Sequence, residues 1–358
     1  MKPILTFAET YEACKHAIES KVALLIEGPP GIGKTALANL LEKDPDVNLP
    51  VKTFIASNCD ATDIAGFPVV VDGVLKRIPM QVIRECADAP AVLFADELTT
   101  TPPAVRGPCL RLWLERVAGD LKLHDGTALI GACNVPEHCP GAFELDAATG
   151  NRFIQVVMAP TIDELRSHIE SSWGVKDADP VGFREEALDL AATMRLEAGM
   201  IQFNPTPDAI QSGAPYGSPR AWERGLRTYC VAGGGDNRVA RALLEGAVGS
   251  DAAATYLGIK KLRSHLPAID AIERDPNKAK VPEKREYQIA ALGLLARLAR
   301  KDSYAAWIYC NRLAPEARFA ATRTLLEMPD TPAKDTKWFK AGKQAKLQAM
   351  TATRKDLG

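Results

Sequence analysis

The octet Gly28-Pro29-Pro30-Gly31-Ile32-Gly33-Lys34-Thr35 constrains this chain more than any other stretch. It follows the apolar run Val22-Ala23-Leu24-Leu25-Ile26 and leads into Ala36-Leu37-Ala38-Asn39-Leu40-Leu41. The first run reads as a buried parallel strand and the second as the opening of a helix. Strand, glycine-rich turn, Lys-Thr and helix together are the context of a phosphate-binding P-loop. The glycines let successive backbone N–H groups converge on an anion, and the helix aims its positive end at the same point. Lys34 is expected to reach the β- and γ-phosphates, and the Thr35 hydroxyl to take a place on Mg²⁺. A glycine-rich surface turn is the alternative, and the flanking strand and helix argue against it. The expected ligand is a nucleoside triphosphate.

The rest of the first part alternates strand and helix signals. Residues 51–56 read as a strand, and residues 69–77 as a hairpin turning at Asp72-Gly73. A helix is expected over 80–88 and a strand over 91–97. Thr101-Pro102-Pro103 opens a helix whose apolar positions Val105, Cys109, Leu112 and Trp113 keep helical spacing, and a further strand covers 128–134. This is a parallel sheet wound with helices. From about Pro160 the signals are helical only, with segments at 162–172, 185–197, 219–231, 239–248, 251–262, 287–300 and 314–327. Gly233-Gly234-Gly235-Asp236 reads as a boundary. The lysine-rich stretch after Pro332 reads as a solvated helix face or frayed tail.

Adjacent acids end the strand over 91–97, so Asp96 and Glu97 are expected at the sheet edge where the P-loop opens. Asp96 would orient Mg²⁺, and Glu97 would polarise an attacking water as general base. Asn134, at the end of the next strand, could hydrogen-bond that water or the γ-phosphate without adding charge. Composition narrows the partners. Of 358 residues, 25% are charged and the formal net charge is -1, so no global basic field favours nucleic acid. No apolar run approaches the ~20 residues of a membrane span, and the first residues lack a secretory h-region. The eight cysteines are scattered without a CxxC pair, which fits reduced thiols and a cytoplasmic location. Cys133, His138 and Cys139 lie close together, but zinc-ligand spacing and a fourth ligand are missing.

These residues resemble the AAA+ ATPases and, within them, the MoxR branch. The P-loop, the acid strand Leu93-Phe94-Ala95-Asp96-Glu97 and the strand end Gly131-Ala132-Cys133-Asn134 look like the family's Walker A, Walker B and sensor 1, in family order. Ala61-Thr62-Asp63-Ile64-Ala65-Gly66 followed by a hairpin is similar to the helix-2 insert of this clade. The segment 144–153, ending Asn151-Arg152-Phe153, resembles the one that carries an arginine finger, and Ser218-Pro219-Arg220 resembles sensor 2. The chain departs from the family in having Leu98-Thr99-Thr100 after Glu97, where an acid and Asn-Arg are more common, and Asn151, where Asp is common. The resemblance implies an αβα core over 1–160 with a hairpin insert at 69–79 and an all-α lid over 161–232. A helical extension over 233–330 and a basic tail over 331–358 would follow. It further implies ATP with Mg²⁺ and catalytic roles for Glu97, Asn134, Arg152 (reaching the neighbouring subunit's site) and Arg220 on the lid. A closed ring, usually of six subunits, would remodel a protein client, with a von Willebrand A-domain protein as the expected partner. Two rivals stay open on sequence alone. A ring motor acting on nucleic acid would use the basic tail and Lys76-Arg77. A monomeric P-loop kinase or small-molecule enzyme would need no arginine in trans.

Overall fold

The computed structural model describes residues 2–143, 145, 150–176, 178–194, 197–262 and 266–327. The expected basic tail and part of the segment 144–153 lie outside them. The described residues form two compact units, one of residues up to 161 with 203–213 and one of 162–202 with 214–327.

The first unit runs β1 (Ile4–Leu5), α1 (Phe7–Ser20), β2 (Leu24–Glu27), α2 (Lys34–Lys43), β3 (Val51–Ile55), α3 (Ala61–Ala65), β4 (Phe67–Val71), β5 (Val74–Ile78) and α4 (Gln81–Asp88). It continues with β6 (Val92–Asp96), α5 (Pro103–Glu115), β7 (Val117–Ala118), β8 (Leu121–Lys122), β9 (Ala128–Cys133) and β10 (Ile154–Met158). Six strands build one sheet in the order β1-β10-β2-β9-β6-β3, and every pair in it is parallel. Because side chains alternate across a strand, Leu24 and Ile26 pack with Leu37 and Leu41 of α2. Leu25 turns to the opposite layer, with Ile83, Leu112 and Trp113. Both faces are covered, which is why β2, β6 and β9 are near-continuous apolar runs.

Parallel pairing sends all the strand C-termini to one edge. The registers Ile55↔Asp96 and Glu27↔Cys133 set the ends of β3, β6, β2 and β9 side by side there. Sequence patterning misses β10, whose alternation of buried and exposed positions is short. It also misses β1 and the small β7–β8 hairpin, each strand of which is two residues long.

The β4–β5 hairpin turns at Asp72 and Gly73, both at positive φ (52° and 77°), as an Asp-Gly type I′ turn requires. Its base is wedged against the β7–β8 turn. The Arg77 amide donates to Asp120 Oδ2 at 2.6 Å, and the Asp120 amide donates to the Arg77 carbonyl at 3.2 Å.

The second unit is helical: α6 (Ile162–Ser172), α7 (Phe183–Met194), α9 (Pro219–Val231), α10 (Arg238–Val248), α11 (Ser250–Leu262), α12 (Ile269–Arg274), α13 (Arg285–Lys301), α14 (Ser303–Cys310) and α15 (Pro315–Glu327). The short α8 (Pro207–Ser212) belongs to the first unit. The lid and the extension expected on either side of Gly233 form one body. Gly233, Gly234 and Gly235 all sit at positive φ and reverse the chain between α9 and α10. Those helices cross closely at Gly225, where an added Cβ would lie 3.0 Å from that of Ala247. A glycine run marks a tight turn as readily as a linker.

Gly119 shows how strictly the hairpin base is built. It lies at φ +57°, and an added Cβ would stand 2.5 Å from the Arg77 carbonyl oxygen. Gly119→Ala is expected to lower stability by about 1–3 kcal/mol, measured by urea unfolding. A change below ~0.5 kcal/mol would mean that the junction yields freely.

Candidate functional site at the sheet edge

The P-loop leaves β2 at Glu27 and enters α2 at Lys34. Gly28 is crowded, since a Cβ would meet Ile32 Cδ1 at 2.7 Å and the Met158 carbonyl oxygen at 3.1 Å, so Ile32 would have to shift. Gly31 and Gly33 take φ of 82° and 105°, conformations that turn the loop into the helix N-terminus. Pro29, Pro30 and Ile32 complete the loop, with Ile32 buried in the core beneath it. The first turn of α2 then offers backbone N–H groups that have no intrahelical partner by geometry.

Lys34 is 93% buried, and its ammonium donates to the Gly28 carbonyl at 2.7 Å, the Pro29 carbonyl at 2.8 Å and Asn134 Oδ1 at 2.8 Å. Three acceptors match the three donors of an ammonium, so the buried charge is held in the loop. The bond to Asn134 brings the end of β9 to the P-loop. Thr35 Oγ1 donates to Asp96 Oδ2, and the Glu97 amide donates to Asp96 Oδ1 at 2.9 Å. A hydroxyl and a carboxylate in contact at a phosphate loop are the hard oxygen donors that suit Mg²⁺, so Thr35 and Asp96 fit that ion.

Sequence reading puts Glu97 in the strand; the structure puts it just outside. β6 ends at Asp96, and Glu97 takes φ 58°, a left-handed conformation that a side chain seldom adopts. That kink directs the exposed Glu97 carboxylate toward Ser57, whose hydroxyl donates to Oε2. Ser57 lies in the turn after β3, the strand paired with β6. A lone serine after a strand carries no signal in sequence. Its position at the end of the neighbouring strand is the clue that could have found it.

Five of the expected residues therefore converge: Lys34, Thr35, Asp96, Glu97 and Asn134. Arg152 does not join them by any hydrogen bond or ion pair among the described residues. It is exposed, directly before Phe153, which is buried against Trp113 with ring centroids 5.5 Å apart. Arg220 belongs to the second unit, exposed in the first turn of α9, which Ser218 caps by accepting from the Ala221 amide at 3.2 Å.

A cavity of 820 Å³ lies at the ends of β2 and β9, with Lys2, Glu27, Thr99, Asn134, Phe143 and Gln155 in its wall and no residue of the P-loop octet. Lys2 neutralises the buried Glu27 carboxylate at 2.5 Å. Burial pushes the Cys133 thiol up to about 12, so it stays protonated. Among the described residues no group of three or more His, Cys, Asp or Glu could hold a metal ion, and no helix is long and apolar enough to cross a membrane.

No family model matches the chain. No curated protein matches it either. Among solved structures it is similar to NtrX from Brucella abortus in complex with ADP, at 16% identity and a TM-score of 0.38, covering 87% of this chain and 63% of that one. It is also similar to the RuvB Holliday junction branch migration motor of Thermotoga maritima, at 15% identity and a TM-score of 0.36, covering 70% and 67%. The chain thus spans less than two thirds of the NtrX length. At such scores the functional reading rests on the geometry of the sheet edge.

Lys34→Ala removes the side-chain cation of the loop and is expected to abolish nucleotide binding, as measured by titration with a fluorescent ATP analogue. Affinity within about threefold of wild type, about 0.65 kcal/mol where a tenfold step is 1.4, would remove Lys34 from the site.

Proposed function

We propose that this chain is an ATPase of the AAA+ type, MoxR-like, that works in a ring to remodel a protein client. The observation that carries the reading is the convergence of two strand ends, those of β6 and β9, on the loop that follows β2. The P-loop lysine is bonded to Asn134, the P-loop threonine to Asp96, and Glu97 is set beside them by its backbone. Bound Mg²⁺ would supply charge neutralisation at the phosphates, held by Thr35 and Asp96. Glu97, exposed and half free of the sheet, suits a base for an attacking water. Asn134 offers an amide that can orient the water without repelling the phosphates. The Ser57 hydroxyl, bonded to the Glu97 carboxylate, would fix where that base points.

The ring rests on Arg152, an exposed guanidinium on a firmly anchored segment, which fits a role in a neighbouring subunit's site. A guanidinium there would stabilise developing charge in phosphoryl transfer. Arg220 would act from the helical unit. The protein client, a von Willebrand A-domain partner and a sixfold ring come from the MoxR resemblance alone. The β4–β5 hairpin suits client contact, because Val70 and Leu75 are 68% and 64% exposed.

Glu97→Gln is expected to bind ATP as wild type does and to hydrolyse it at least ~10²-fold slower, in a phosphate-release assay. Near-normal turnover would end the assignment of Glu97 as base. Arg152→Ala should also bind ATP normally and lose about 10²-fold or more in rate. Mixing it with Lys34→Ala should restore part of the activity in proportion to the mixing ratio, because some interfaces then pair an intact loop with an intact finger. An absence of rescue would confine Arg152 to its own subunit and remove the argument for a ring. Replacing residues 71–76 with a short glycine linker should spare ATP hydrolysis and impair client remodelling. If that replacement abolished nucleotide binding, the hairpin would belong to the core.

A further inference from the structure

Where the resembling family more often has an acid and Asn-Arg after the strand acids, this chain has Leu98-Thr99-Thr100, and Thr99 is 96% buried. Its hydroxyl donates to the Asn134 carbonyl at 2.8 Å, and its own carbonyl accepts from the Phe143 amide at 2.8 Å. Thr99 sits in the single turn Leu98–Thr100 that follows the left-handed Glu97. One residue therefore ties the loop bearing Glu97 to the strand end bearing Asn134.

We propose that Thr99 is a positioning residue for the hydrolytic site, fixing Asn134 relative to Lys34 and Glu97 through its hydroxyl. The inference rests on the ATPase reading above. The physical basis is the backbone at Asn134. Its amide oxygen must meet the Lys34 ammonium at 2.8 Å, and that side chain is half-buried at the end of β9. A carbonyl left without its donor costs about 1–3 kcal/mol, and the cheapest relief is rotation of the Asn134 peptide. That rotation would swing the side chain from Lys34. A misplacement of ~1 Å at a reacting centre can cost about 10²-fold in rate, so a small shift matters.

Thr99→Val keeps the shape and removes the hydroxyl, whereas Thr99→Ser keeps the hydroxyl. In the full-length protein, Thr99→Val is expected to lower kcat by about tenfold with KM within about twofold, a pattern of lost transition-state stabilisation. Thr99→Ser should recover most of that loss. The double variant Thr99→Val with Asn134→Ala should be no slower than Asn134→Ala alone, since Thr99 acts through Asn134. Additive losses, or a serine variant as slow as the valine one, would overturn the proposal. Hydrogen exchange gives a readout that does not depend on turnover: the amides of residues 134–143 should exchange at least ~10-fold faster in Thr99→Val, a 1.4 kcal/mol loss of local protection. Unchanged exchange there would equally overturn it. If the wild-type protein bound but did not hydrolyse ATP, the ATPase reading would fail, while exchange would still decide the role of Thr99.

Discussion

The buried ammonium of Lys34 is the constraint on which the rest of the site depends. An unpaired charge at 93% burial would be prohibitive, so the loop must present acceptors to it. Two come from the loop's own carbonyls, at Gly28 and Pro29, and a third from Asn134 on a different strand. The first two hold the start of the loop against the ammonium, while Gly31 and Gly33 at positive φ turn it into the helix. The third makes the position of β9 part of the phosphate site. A lysine that bonded only within its own loop would leave the sheet edge free to drift.

That dependence explains the strand order. β9 lies between β2, which carries the loop, and β6, which carries the acids. Asn134 and Asp96 thereby approach the loop from the same edge, with Asp96 reaching it through Thr35. Covering both faces of the sheet requires apolar side chains on both, and these leave the strand ends as the place where polar groups meet solvent. The chemistry sits where the burial stops.

Much of this was legible in sequence because each signal is local. The P-loop, the strand ending in Asp96 and the helix with Val105, Cys109, Leu112 and Trp113 facing inward all come from short-range spacing. The Asp72-Gly73 turn is likewise a matter of two residues' backbone preference. What sequence did not yield depends on distant partners. Ser57 acquires meaning only from the pairing of β3 with β6, and the short strand β1 only from its pairing with β10. The glycine run at 233–235 is compatible with a linker or a turn, and only the packing of α9 on α10 decides between them. Glu97 looked like the last residue of a strand, because a left-handed kink leaves no trace in composition.

The β4–β5 ribbon stands apart from the main sheet as a two-stranded sheet that no third strand joins among the described residues, its second strand held at Arg77 by Asp120. Val69, Val70 and Val71 form a β-branched run that is largely exposed, and such an edge is a template for pairing with any extended chain. Pro68 interrupts the run at its start by removing one backbone donor, opposite Arg77. Asp72, Lys76 and Arg77 place charge at the tip and along the second strand. The ribbon is thus guarded against pairing with its own kind by a proline and three charges, so a hairpin with three successive, largely exposed valines can stand at the surface without seeding aggregation.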